Sequence, residues 1–140
     1  MALRIQQGNW NRLDRELQNK LLKLTRREES QMRELIKSID KIISHKIFIL
    51  FEKEIPVSWS IAVYDDHDDE YHLMIYTRRS HRRRGYGKKL VQKSRRWIRK
   101  QNKGICFFPD YDSEKFWLSM FSKDVVDAMS GLVYYEEKIN

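Results

Sequence analysis

The segment RRSHRRRGYGKK, Arg78 to Lys89, constrains this chain more than any other stretch. It follows Tyr71–Thr77 (YHLMIYT), which is rich in the aromatic and β-branched residues of a strand. After it, Leu90, Val91, Ser94, Trp97 and Ile98 recur at the steps of one helix face, running to about Gln101. A strand that turns through Gly85-Tyr86-Gly87 into a helix aims several backbone donors at one point. The first N–H groups of a helix lack internal partners, and the helix dipole adds partial positive charge there. Glycine lets the backbone approach an anion closely, and neighbouring arginines supply fork-shaped charged donors. Donors spread over consecutive residues suit a pyrophosphate better than an isolated phosphate.

The charge distribution supports an anion-binding surface. The chain is +8 overall, but Arg78 through Lys103 hold 13 of its 28 basic residues and no Asp or Glu. The other 15 basic residues face all 20 acidic ones, a net of −5. Such concentration also fits a nucleic-acid patch or a solvated face. Against nucleic acid, only Tyr86 and Trp97 are interleaved as stacking aromatics, and no helix-turn-helix or zinc pattern is present.

Before this segment the period changes once. Trp10, Leu13, Leu17, Leu21 and Leu24, then Met32, Leu35, Ile36, Ile39, Ile42 and Ile43, follow helical steps from Asn9 to about His45. The charged cluster Arg26–Ser30 divides them into two helices. Lys46–Lys53 and Val57–Tyr64 read as a hairpin turning at Glu54-Ile55-Pro56, and Asp65–Glu70 reads as a loop. Leu3–Gln7 is a short first strand, and Ile105–Phe108 a buried one. Ser113–Ser122 is helical, and Val125–Met129 and Leu132–Ile139 are two strands around Ser130-Gly131. The order predicts one α/β domain over residues 1–140 with a mixed sheet.

The longest apolar run, Ile47–Phe51, is far short of the roughly 20 residues that span a bilayer. The N-terminus lacks a signal-peptide apolar block. Cys106 stands alone, so an internal disulfide is excluded and a reducing cytoplasm is the expected compartment.

Arg82-Arg83-Arg84-Gly85-Tyr86-Gly87 resembles the R/Q-x-x-G-x-G/A signature of the GNAT superfamily of N-acetyltransferases, and the order of elements resembles that family along the chain. The resemblance implies an α+β fold with a central twisted sheet of about 6–7 strands flanked by about four helices. It implies acetyl-CoA as co-substrate, with no metal. Its pyrophosphate would be held around Arg82, Arg83, Arg84, Gly85, Tyr86, Gly87 and Lys88, chiefly by the Arg83–Lys88 amides. Main-chain groups of Ile75, Tyr76 and Thr77 would pair with the pantetheine arm beside a splayed strand at Ile105–Phe108.

The catalytic pattern departs from the family. Where N-x-x-A-x-x-[LF]-Y places a proton-donating tyrosine, this chain reads Asp110-Tyr111-Asp112-Ser113-Glu114-Lys115-Phe116-Trp117. An indole is no useful acid for a thiolate, which leaves the nearby Tyr111 as candidate. The family's strand carboxylate falls at about Tyr71, flanked by Glu70 and His72, the candidate bases. The acidic loop Asp65-Asp66-His67-Asp68-Asp69-Glu70 would suit a cationic acceptor, or is simply solvated. No second histidine or cysteine stands at ligand spacing from His67, so no metal is expected. Cys106, Trp59 and Trp97 read as core.

The expected activity is transfer of acetyl from acetyl-CoA to a primary amine, on a protein lysine or N-terminus or on a small polyamine. The amine would attack directly within a ternary complex. The expected partners are acetyl-CoA and an amine acceptor, protein or small molecule, with no membrane and a monomer or homodimer. The rival expectation is a nucleic-acid-binding or other binding protein on the same fold, using the Arg78–Lys103 surface with weak or lost catalysis.

Overall fold

A computed structural model describes residues 2–25, 30–107, 114–121 and 135–137. Its strands are β1 (Leu3–Gly8), β2 (His45–Glu52), β3 (Ile55–Asp65), β4 (Glu70–Thr77), β5 (Gly104–Phe107) and β6 (Tyr135–Glu137). Its helices are α1 (Arg15–Leu24), α2 (Ser30–Lys37), α3 (Tyr86–Lys100) and α4 (Glu114–Leu118). The 6-stranded sheet runs in chain order, β1 to β6. Every pair is antiparallel except β4 and β5, which are parallel and joined by the α3 crossover. The expected mixed sheet with flanking helices is the fold observed.

Side chains alternate across the sheet because strand residues point to opposite faces. Ile47, Ile49, Phe51, Trp59, Ile61 and Val63 meet Trp10, Leu21, Met32 and Ile36 on the α1 and α2 face. Phe48, Leu50 and Val57 meet Tyr86 and Leu90 of α3 on the other. Tyr71, Leu73, Ile105 and Phe107 pack with Val91, Ile98 and Trp117 on that second face. Trp59 and Cys106 are fully buried, as expected, while Trp97 is half-buried at the edge of the α3 layer.

Local chemistry moves several expected boundaries. Periodicity alone predicts a helix from Asn9, yet Trp10–Arg12 forms a separate 3-10 turn. Asp14 caps α1, its carboxylate accepting from the Leu17 amide at 2.8 Å. The hairpin turns at Lys53 and Glu54, with φ of 51° and 65°, the left-handed pair that matches strand twist. Pro56 therefore lies inside β3 opposite Phe51, beside a register shift at Leu50/Phe51. Glu70 belongs to β4 and is buried, rather than to the preceding loop. Residues 26–29, within the expected helix break, lie outside the described residues. So do the strand expected at Val125–Met129, the Ser130-Gly131 turn and all of Leu132–Ile139 except the three residues of β6.

Candidate active site

β4 ends at Thr77, and the chain passes through a 3-10 turn at Arg79–His81 before entering α3. Arg83 and Gly85 both take left-handed φ, 66° and 79°, on either side of Arg84. Alternating handedness of this kind turns successive N–H groups to one side, as in anion-binding nests. An arginine in that conformation costs about 1–3 kcal/mol, a strain that tends to sit at functional sites. Gly85 is also the N-cap of the 15-residue α3, and no side chain caps the helix start. The first turn of α3 holds no acidic residue. Its amides and dipole are therefore presented to an outside anion.

The two glycines serve different purposes. A Cβ on Gly85 would meet nothing within 4 Å, so φ alone makes that residue glycine. A Cβ on Gly87 would lie 2.9 Å from the Phe116 ring and 3.6 Å from Ile75. Gly87 thus lets α4 and β4 approach α3 closely.

The arginines also divide. The Arg82 Nε donates to the Thr77 carbonyl at 2.9 Å, with its guanidinium 5.6 Å from the centre of the Tyr76 ring. Arg84 turns back to Glu52, at 3.3 Å. The Tyr86 hydroxyl, with Arg84 and His81 beside it, holds the Glu52 carboxyl below its ordinary value against the opposing effect of burial. Arg83 and Lys88 are exposed, with no ion-pair partner among the described residues. Of the expected pantetheine strand, Ile75 packs between two core clusters, Tyr76 is buried on the opposite face, and the Thr77 hydroxyl meets Ser58 Oγ at 2.7 Å.

At the other end of β4 lies a second cluster. Among the described residues, β4 pairs with β5 only from Glu70↔Gly104 to His72↔Cys106, while β4 continues to Thr77. Glu70, His72 and Cys106 each bring a donor atom within 4.8 Å of the others. Glu70 is 1% exposed and Cys106 is fully buried. His72 Nε2 stands 3.1 Å from Asp65 Oδ2. Burial pushes the Asp65 carboxyl up, but the amides of His67 and Asp68 and the His72 ring outweigh it and hold it below its usual range. Tyr71, at the family's carboxylate position, faces α3 instead and donates its hydroxyl to Ser44 Oγ at 2.9 Å.

His72 opens into a cleft of about 300 Å³ lined by Leu35, Ile42, Val63, Asp65 and Met74. This wall was not read from the sequence, because it joins the end of α2 to β3 and β4 across the fold. The apolar strand sequence around Cys106 marks it only as core, and its approach to His72 follows from β4–β5 register. Asp65, Asp68 and His72 form a second donor set of the same spacing, so a divalent ion on either set would engage His72. Trp117 is 3% exposed and stacks on Phe107 with ring centres 4.0 Å apart, a core position. Tyr111, the candidate acid, lies outside the described residues.

The family model "Acetyltransferase (GNAT) family" matches residues 10–120. No curated protein sequence matches the chain. An acetyltransferase of the GNAT family from Staphylococcus aureus Mu50 is 13% identical, with a TM-score of 0.70, covering 99% of this chain and 100% of its own. The PaiA N-acetyltransferase of Thermoplasma acidophilum, solved in complex with coenzyme A, is 12% identical with a TM-score of 0.64 over 99% and 100%. ElaA of Escherichia coli is 13% identical with a TM-score of 0.62 over 84% and 85%. At such identities the structures share a fold. With the family model spanning most of its length, the chain belongs to the GNAT family of acetyltransferases.

Proposed function

We propose that this chain is an N-acetyltransferase that moves acetyl from acetyl-CoA to a primary amine, on a protein lysine or N-terminus or on a small polyamine. The observation that carries this reading is the start of α3, without a side-chain cap, behind left-handed Arg83 and Gly85, at the end of a strand whose pairing with β5 stops midway among the described residues. The pyrophosphate would rest on the amides from Arg83 to Lys88, with the Arg83 and Lys88 side chains adding charge. The thioester would lie toward His72, where β4 and β5 cease to pair.

An amine must lose its proton to attack a carbonyl carbon. His72, its side chain 19% exposed at the cleft, is the base in this reading. Asp65 Oδ2, 3.1 Å from Nε2, would orient the ring and leave Nδ1 to take the proton. The amine nitrogen bonds to the thioester carbon, its proton passes to His72, and the C–S bond breaks to release the thiolate. Glu70, buried behind His72, takes part through the same cluster, and Tyr111 remains the candidate donor to the leaving sulfur. Acidic Asp65 and Asp66 beside apolar Leu35 and Ile42 suit a cationic acceptor with an aliphatic stem.

Calorimetry with acetyl-CoA at low and moderate salt tests the reading. Stoichiometric binding that survives salt supports it, and no binding overturns it. A second reading has its own observation. α3, YGKKLVQKSRRWIRK, carries seven cations and no anion, whereas α1 and α2 pair theirs at Glu16–Lys20 and Glu34–Lys37. Exposed Lys89, Lys93, Arg96 and Lys100 share one outer face, which fits nucleic-acid phosphates. Reversing Lys93, Arg96 and Lys100 to Glu should flatten the salt dependence of oligonucleotide binding by about 2–3 in log–log slope. Wild-type protein that shows no salt-sensitive retention removes this reading.

A further inference from the structure

A carboxylate sits beneath the proposed anion cradle, where its charge alone would oppose a pyrophosphate. Glu52, the last residue of β2, has a side chain only 12% exposed. The Tyr86 hydroxyl donates to its Oε2 at 2.5 Å, and Arg84 Nη1 lies 3.3 Å and 3.4 Å from its two oxygens. His81 Nε2 stands 4.0 Å from Oε1, with Ser80 Oγ at 2.9 Å from its other ring nitrogen. Three residues of one short segment, before, just ahead of and just after Gly85, thus converge on one carboxylate from another strand.

We infer that Glu52 is a positioning residue for coenzyme A, fixing the backbone on both sides of Gly85 so that the cradle amides stay aimed together. The inference rests on the coenzyme A assignment above. A Cβ on Gly85 would meet nothing within 4 Å, so side-chain packing does not fix its left-handed φ. Its carbonyl accepts the Lys89 amide of the helix, at 3.2 Å. Tyr86 is 5% exposed and wedged among Phe48, Leu50, Val57 and Leu90, which anchors the helix side of the turn. Arg84, exposed over much of its length, is tethered on the loop side by Glu52. The strain at Arg83 persists only where such tethers over-determine the backbone. The Arg84 charge is thereby neutralised within the protein, and the cofactor anion meets backbone donors with Arg83 and Lys88.

Two opposite effects separate this role from simple electrostatics. Removing the carboxylate takes away negative charge near the anion, which by itself tightens binding. Loss of the tether disorders the donors, which weakens it. Calorimetry on wild type, Glu52→Ala and Glu52→Gln decides between them, using acetyl-CoA and S-acetyl-pantetheine, which lacks the pyrophosphate. For a tether, Glu52→Ala weakens acetyl-CoA about tenfold, the worth of one charge-assisted hydrogen bond. Glu52→Gln, whose amide oxygen still accepts from Tyr86, recovers part of the loss. Neither variant changes binding of S-acetyl-pantetheine. Unchanged or tighter acetyl-CoA binding by Glu52→Ala overturns the inference, and so does an equal loss with the truncated donor, which marks general disruption. Wild type that binds neither donor overturns the coenzyme A reading itself, and this inference with it.

Discussion

The two ends of β4 face opposite tasks and are built in opposite ways. At Thr77 the chain leaves the sheet into a cationic turn whose chemistry lies in the backbone of a few consecutive residues, Arg83 to Lys88. At Glu70 the strand enters the sheet among Asp65, His72 and Cys106, side chains gathered from three strands. The first end is a conformation of consecutive residues, held in the proposed role by Glu52 of β2. The second exists only when β3, β4 and β5 are in register. In the proposed mechanism, binding of the anion and transfer of the proton should therefore be separable by mutation along one strand.

The largest expected effect lies at the cationic end. Gly85→Asp adds negative charge at the cradle and should weaken acetyl-CoA by more than about 100-fold, since a charge left unpaired beside phosphate costs several kcal/mol. Gly85→Asn, of similar size and tolerant of left-handed φ, should bind far better. Equal losses in calorimetry would show that backbone strain, not charge, dominates there.

The acidic end should respond in kcat instead. His72→Ala should lower kcat by about 100-fold, typical for a general base, while acetyl-CoA affinity stays unchanged. Asp65→Asn should cost about tenfold, the loss of the charge that faces His72 at 3.1 Å. A base must be unprotonated to act, so wild-type kcat should fall as pH drops, and His72→Ala should lose that dependence. A kcat profile unaltered by His72→Ala would shift the base to Glu70.

Smaller effects touch stability around the two ends. Gly87→Ala drives a methyl toward Phe116, an overpacking strain of about 1–3 kcal/mol that exceeds the roughly 1 kcal/mol gain in helix propensity. The expected result is a thermal midpoint lower by a few degrees. The smallest effect concerns His45, whose Nε2 accepts the Trp10 amide at 2.9 Å and must therefore be unprotonated. Burial, aided by Lys46, pushes its pKa below the usual 6.5. The unfolded chain then binds more protons than the fold, so this contribution is present above pH 6.5 and is lost as pH falls through the lowered folded value. Thermal melts between pH 7 and 5 should show a decline that His45→Gln reduces.

Much of the molecule was legible in the sequence for reasons of local physics. The α3 face of Leu90, Val91, Ser94 and Ile98, the apolar run of β2 and the Gly85 turn each follow from periodicity, local composition or what a single residue permits. Boundaries shifted where a side chain competed with the backbone, as Asp14 did at α1, or where a turn type demanded particular residues, as at Lys53-Glu54. Glu70 read as a loop carboxylate because its neighbours in sequence are acidic, whereas its neighbours in space are Cys106 and His72.

From the sequence alone came the family resemblance, the cationic turn and the residues that would cradle an anion, since these depend on contiguous residues. The tertiary structure alone decided that Gly87 is a packing glycine, that Arg84 belongs to Glu52, and that His72 shares Asp65 and a cleft. Those relations join residues far apart in the chain, and only the sheet register and the helix packing on it set their distances.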